Sequence, residues 1–261
     1  MDEKWCNMVK DDVVRWIREY IAANGTDETK VVIGLSGGKD SSVCAALCVE
    51  ALGADRVIGI RLPDVESCHA EEDLDDAQRV ANALGIKVIT HAIDPGSEYR
   101  ELYLQTGENV GETVKTNLPA RMRMAILYMY ANHFGARVCN TCNKSETYVG
   151  YDTRWGDQCG DFSPIQYFTA REVRQIGRTL NLPTDLVERP SDDGMCGLTD
   201  EERWGFTYET LDDYIDGKDV NQEDAQKIEQ MHRRAMYKIT SIELPSYSYH
   251  KNNSRYLRKL Q

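Results

Sequence analysis

The run Val31-Val32-Ile33-Gly34-Leu35-Ser36-Gly37-Gly38-Lys39-Asp40-Ser41-Ser42 constrains this chain more than any other stretch. An apolar strand enters a glycine-rich turn and leaves it as a helix. Glycines remove the Cβ atoms that would hold an anion off the backbone. The helix start then adds unpaired N–H groups and a favourable dipole. Ser36 and Ser41 are hydroxyl donors for phosphate oxygens, and Lys39 adds a point charge. Asp40 alone repels phosphate, so its presence asks for a bridging cation such as Mg²⁺. A serine-capped surface turn also uses these residue types, but it leaves the whole strand–turn–helix arrangement unexplained. The run is neither a G-x-x-x-x-G-K-[ST] loop nor a G-x-G-x-x-G dinucleotide fingerprint.

Periodicity around this run sets the fold class. Residues 4–22 repeat apolar positions near 3.6 and predict a helix. Lys30–Leu35 predicts a strand, Asp40–Leu52 a helix, and Arg56–Leu62 a second strand closed by Pro63. His69–Leu84 reads as a helix and Ile86–Ala92 as a third strand. Such a βαβαβ run predicts an α/β protein, an open and mostly parallel sheet with helices on both faces, in three layers. Residues 94–118 lose their period and are expected to form a mobile segment. Pro119 is expected in the first turn of a helix over Arg121–Phe134, followed by a strand at Ala136–Asn140. Residues 150–161 are rich in turns, and Ala170–Leu180 is helical. Residues 189–200 read as a second mobile segment, before helices at Leu211–Ile215 and Glu223–Tyr237. Without a repeat or a low-complexity linker, residues 1–261 are expected to form one domain.

Charge and cysteines narrow the function classes. Lys and Arg total 31 against 43 Asp and Glu, a net charge of −12, which argues against a broad nucleic-acid footprint. Apolar stretches break well before the roughly 20 residues a membrane helix needs. The start lacks a basic and then apolar leader, so a cytoplasmic protein with reduced thiols is expected. Cys44 and Cys48 read as buried helix residues. Cys139 and Cys142 form C-x-x-C, yet two cysteines do not complete a zinc or iron–sulfur set, and Cys159 adds no diagnostic spacing.

The SGGKDS loop resembles the pyrophosphate loop of the ATP pyrophosphatase superfamily. Further matches follow in order over roughly residues 30–240. They are Asn117–Met124, Asn140–Glu146, Gly150–Asp157, Gly160–Pro164, Leu198–Glu202, Gly205–Tyr208 and Leu211–Tyr214. Together they resemble the ammonia-dependent NAD synthetase family. The resemblance implies an adenine nucleotide alpha hydrolase-like (Rossmann-like) fold and a carbon–nitrogen ligase. ATP adenylylates the carboxylate of deamido-NAD, and ammonia then displaces AMP to give NAD.

Carried over residue by residue, the resemblance places ATP on Gly34, Leu35, Ser36, Gly37, Gly38, Lys39, Asp40, Ser41, Arg61, Thr141 and Ser191. It places Mg²⁺ on Asp40 and Glu146, which form the catalytic set with Lys39. Deamido-NAD falls to Arg121, Arg154 and Asp161, with Arg123 left to packing or ion pairing. A symmetric homodimer with substrate near the shared interface is also implied. Asp40 and Glu146 each follow an apolar strand, so both can reach the carboxyl edge of one parallel sheet.

Several positions depart from the family pattern. Ser191 replaces a threonine, Arg154 a lysine, and Ala170 a lysine that contacts ATP. A terminal His-Lys pair is missing near Thr240 and Ser241, and Lys238 or a tail residue is left to compensate. Two alternatives come from other classes: an SGGKDS-type tRNA sulfur transferase using the C-x-x-C pair, and a nucleotide-binding protein without turnover. A glutamine-fed enzyme calls for an added amidotransferase domain. Free ammonia is therefore the expected nitrogen source, with a separate glutaminase unproven.

Overall fold

The computed structural model describes residues 3–65, 70–189, 199–239, 246–249 and 255–256. In chain order come α1 (Glu3–Asn24), β1 (Lys30–Gly34), α2 (Lys39–Leu52), β2 (Val57–Arg61), α3 (Ala70–Leu84) and β3 (Lys87–Thr90). Next are α4 (Pro95–Thr106), α5 (Glu112–Phe134), β4 (Ala136–Cys139), α6 (Lys144–Val149), α7 (Ala170–Gly177) and α8 (Thr184–Glu188). The chain continues through α9 (Asp200–Trp204), α10 (Tyr208–Ile215), α11 (Gln222–Ile239) and a two-stranded β5 (Ser248–Tyr249) and β6 (Arg255–Tyr256).

The first four strands form one parallel sheet in the order β3-β2-β1-β4. Val31 pairs with Val57 on one side of β1, and Ile33 with Cys139 on the other. Alternation along β1 sorts the core into two layers. Val31 and Ile33 pack with Val13 and Ile17 of α1 and Val43 and Leu47 of α2. Val32 points the other way, onto Met124, Leu127 and Ala131 of α5 with Ile58, Ile60 and Val138. Burial on both faces is what a parallel sheet covered by helices requires, and the expected three-layer α/β architecture is present. A separate cluster of Val149, Ala170, Trp204, Phe206, Tyr208, Leu211 and Ile228 joins α6, α7, α9, α10 and α11. Beyond β4, Phe162 bridges to Cys139 and Ser246 to Ser163, extending the sheet edge.

Two local expectations need correction. Residues 94–118 are not an aperiodic flap but contain α4 and the start of α5. Asp94 caps α4 by accepting from Ser97 N at 3.1 Å, Pro95 fits its first turn, and Gly107 closes it at φ +72°. Leu102, Tyr103 and Leu104 are exposed, so α4 carries no continuous apolar face for a periodicity argument to find. Pro119 lies inside α5 rather than in its first turn. It has no N–H for the carbonyl of Lys115, and the hydroxyl of Tyr99 on α4 donates to that oxygen instead, at 3.2 Å. No helix among the described residues is long and apolar enough to cross a membrane.

Candidate active site

β1 carries the glycine turn to the carboxyl edge of the sheet. Leu35 N donates to Ile60 O at 2.9 Å, holding the chain in the ladder until the turn begins. Gly37 then adopts φ +87° against α3. A Cβ there would stand 2.7 Å from Asp76 Cβ and 2.8 Å from Ala77 N, so only glycine fits. Gly38 is the N-cap of α2 and has no side chain to occupy the first-turn amides. Across the turn the hydroxyls of Ser36 and Ser41 lie 3.0 Å apart, and Gly38 N donates to Ser36 Oγ at 3.2 Å.

Gly34, Leu35, Ser36, Gly38, Lys39, Asp40, Ser41, Arg61, Thr141 and Glu146 line one cavity of about 840 Å³. Ten residues expected to bind ATP or metal thus converge, although they come from β1 and the turn after it, β2, α2, the loop after β4, and α6. Gly37 sits beneath the turn, against α3. Arg61 is fixed along the sheet edge by donating to Thr90 Oγ1 at 2.6 Å and to Leu74 O at 3.1 Å. Ser191, Thr240 and Ser241 lie outside the described residues. Arg121, Arg154 and Asp161 are not in the cavity wall. Arg121 is exposed, with Nε donating to Arg154 O at 3.2 Å, and the Arg154 guanidinium lies 5.0 Å from the Trp155 ring centre. Asp161 accepts from Tyr128 OH at 3.2 Å and from Val138 N at 2.7 Å.

The two acids are held by their neighbours. Asn143 caps α6 reciprocally: its Oδ1 accepts from Glu146 N at 3.0 Å, and its own N–H donates to Glu146 Oε2 at 3.2 Å. Lys39 Nζ donates to Asp40 Oδ2 at 2.7 Å, and the lysine is almost fully buried. Burial pushes the Glu146 carboxyl well above the usual range, and the charge of Asp40 adds to that, with Lys39 opposing. Burial works against the Lys39 ammonium, but Asp40 and Glu146 hold its pKa above the ordinary lysine value.

This donor set fits Mg²⁺ bound together with a triphosphate. Mg²⁺ takes one or two carboxylates and completes its shell with phosphate oxygens and water. Among the described residues there is no group of three or more His, Cys, Asp or Glu placed to hold a metal by itself. Asp40 and Glu146 on one cavity wall match the shared arrangement. Cys139 and Cys142 are buried beside this cavity, and burial pushes both thiols well up, which disfavours the thiolate form.

The cavity also contains Arg189, which motif reading did not pick out, and Arg123 and Lys238, to which it gave no ligand contact. Arg189 enters it while ion-paired to Asp76 of α3. Arg123, expected to serve packing, lines it with Nε bonded to Leu62 O at 3.0 Å. From α11, Lys238 Nζ donates to Gly150 O at 2.6 Å and to Asp152 O, and lies 3.3 Å from Asp152 Oδ1. The lone signal for Arg189 in the sequence is a basic residue at the edge of the turn-rich 189–200 segment. Ala170, by contrast, is a buried core methyl beside Tyr208 and Leu211.

Comparison with known proteins agrees with this geometry. The NAD synthase family matches residues 9–254. An NH(3)-dependent NAD(+) synthetase from Alkaliphilus metalliredigens is 38% identical over 92% of this chain and 98% of its own length. The solved structure of NMN synthetase from Francisella tularensis superimposes with a TM-score of 0.82 at 31% identity, covering 92% of this chain and 98% of that one. An NH3-dependent NAD synthetase from Campylobacter jejuni, solved with nitrate, gives a TM-score of 0.71 at 26% identity, covering 94% and 99%. With the family match spanning residues 9–254 and a relative 38% identical covered over nearly its whole length, the chain belongs to the NAD synthase family.

Proposed function

We propose that this chain is an ammonia-dependent NAD synthetase, forming NAD, AMP and diphosphate from deamido-NAD, ATP and ammonia. The observation that carries the reading is the convergence of the glycine turn, Lys39, Asp40 and Glu146 in one cavity at the carboxyl edge of the sheet. A carboxylate is a poor acyl acceptor because it would have to expel oxide. Its oxygen therefore attacks the α-phosphorus of ATP, forming a P–O bond as the bond to the bridging oxygen of diphosphate breaks. The lone pair of ammonia then attacks the activated carbonyl, AMP leaves, and a proton passes to solvent.

In this reading the turn amides and the first turn of α2 hold the departing diphosphate. Lys39, Arg61 and Arg189 spread its charge, and Thr141 and Ser191 add hydroxyl contacts. Mg²⁺ on Asp40 and Glu146 supplies charge neutralisation when bound. Arg121, Arg154 and Asp161 hold deamido-NAD. Their position off the intrachain cavity suits a symmetric homodimer with substrate near the shared interface. Residues 1–261 act as one domain in the cytoplasm.

A second substrate reading, amidation of nicotinic acid mononucleotide, is favoured by the likeness to the Francisella NMN synthetase. One assay tests both. NAD or NMN, AMP and diphosphate are measured with ATP, Mg²⁺, ammonium and either carboxylate substrate. The proposal predicts a higher kcat/KM for deamido-NAD and little activity when glutamine replaces ammonium. A higher kcat/KM for the mononucleotide gives the site to the second reading.

A further inference from the structure

Lys39 is an uncommon element of a phosphate turn: a cation buried against the acids that would bind a metal. It is 3% exposed, its Nζ lies 2.7 Å from Asp40 Oδ2, and the ring centre of Tyr208 is 5.3 Å away. Glu146 is the next negative charge acting on it. Burying an ammonium is costly unless opposite charge and an aromatic face repay it, and both are present.

Each oxygen of Asp40 already accepts a hydrogen bond. Oδ2 takes Lys39 Nζ, and Oδ1 takes Asn143 Nδ2 at 3.1 Å. Each oxygen keeps a second lone pair, but a metal ion that uses it meets the like charge of the Lys39 ammonium, 2.7 Å from Oδ2, unless that group moves away. Asn143 is fixed because the same side chain caps α6. Lys39 carries its ammonium on a flexible four-carbon stem and is itself one of the residues lining the cavity. The lysine is the donor that can leave.

We propose that Lys39 is an internal counter-ion that competes with the divalent metal for Asp40. Without nucleotide it neutralises Asp40 and Glu146 and keeps metal affinity low. A triphosphate draws the ammonium off Asp40 onto phosphate oxygens, so metal and nucleotide enter together. The inference rests on reading Asp40 and Glu146 as metal carboxylates, and its test separates the two.

Mn²⁺ binding to the nucleotide-free protein is measured by electron paramagnetic resonance for wild type, Lys39→Met, Lys39→Gln and Glu146→Gln. The neutral Lys39 variants should bind Mn²⁺ at least about tenfold more tightly than wild type. A non-hydrolysable ATP analogue should narrow that difference, while Glu146→Gln weakens Mn²⁺. If the Lys39 variants match wild type while Glu146→Gln loses Mn²⁺, the counter-ion role is overturned and the metal reading stands. If Glu146→Gln binds as wild type does, the metal reading itself fails. Thermal midpoints give a second readout. Lys39→Met should melt below wild type without Mn²⁺ and gain more from added Mn²⁺, whereas equal gains overturn the proposal. Should Lys39→Met fold only with Mn²⁺ present, that rescue supports the competition, and a variant that Mn²⁺ does not rescue counts against it.

Discussion

Asn143 donates from Nδ2 to Asp40 Oδ1 at 3.1 Å, tying the start of α2 to the loop after β4 across 103 positions of the chain. The same side chain accepts from Glu146 N at 3.0 Å. One amide thus orients both acids, although neither phosphate nor metal need touch it. Asn143→Ala should raise KM for ATP by about tenfold and cost about 1–2 kcal/mol of stability through the lost cap. Asn143→Asp can still cap α6 but sets a like charge beside Asp40, so its activity should fall further. Steady-state kinetics with thermal melts check both variants.

Gly37 has φ +87° with α3 backbone 2.8 Å from where its Cβ would be. Gly37→Ala combines an unfavourable conformation with a clash that no side-chain rotation relieves, and should cost about 2 kcal/mol or more. Titration calorimetry with a non-hydrolysable ATP analogue should show binding lost in whatever folded protein remains.

Arg189 reaches the nucleotide cavity while paired with Asp76, and Asp76 also accepts from Arg79 at 2.9 Å. Arg189→Met should raise KM for ATP by about tenfold with a smaller change in kcat. Asp76→Asn should move KM in the same direction by releasing Arg189 and by loosening the wall behind Gly37. Unchanged KM for ATP in Arg189→Met would remove Arg189 from the phosphate site.

Asp152 supplies a pH test. Burial pushes its carboxyl from 3.8 up to about 6, with Lys238 opposing. The folded state therefore keeps a proton that the unfolded chain releases. The stability this confers is complete below about 3.8 and is lost as pH rises through about 6. Asp152→Asn does not titrate, so the wild-type midpoint should fall relative to the variant from about pH 4 to pH 7 and then level off. Melts across that range check the slope, and a rising difference contradicts it.

What could be read from the sequence follows from how local each cause is. The β1 turn was legible because its glycines, serines and helix start act within a dozen neighbouring positions. That Asp40 and Glu146 reach one cavity was legible in part: each follows an apolar strand of one parallel sheet, but it was resemblance that singled out Glu146. Helix α4 was not, since solvent surrounds Leu102, Tyr103 and Leu104 and leaves no apolar stripe. Pro119 was misplaced because the hydroxyl that tolerates it inside α5 belongs to Tyr99 on another helix. Arg189 depends on a carboxylate 113 positions away, which no spacing rule connects to it. Arg121, Arg154 and Asp161 came from resemblance rather than from pattern, and a single chain leaves them off the cavity wall.

In the proposed reaction the carboxylate is activated by adenylylation, a step that leaves its mark in where the carboxylate oxygen ends up. Deamido-NAD carrying heavy oxygen in its nicotinate carboxylate is turned over with ATP, Mg²⁺ and ammonium, and the AMP is weighed by mass spectrometry. Adenylylation should put one heavy oxygen in each AMP formed and none in diphosphate. AMP without the label, or label in a released phosphate, would contradict it.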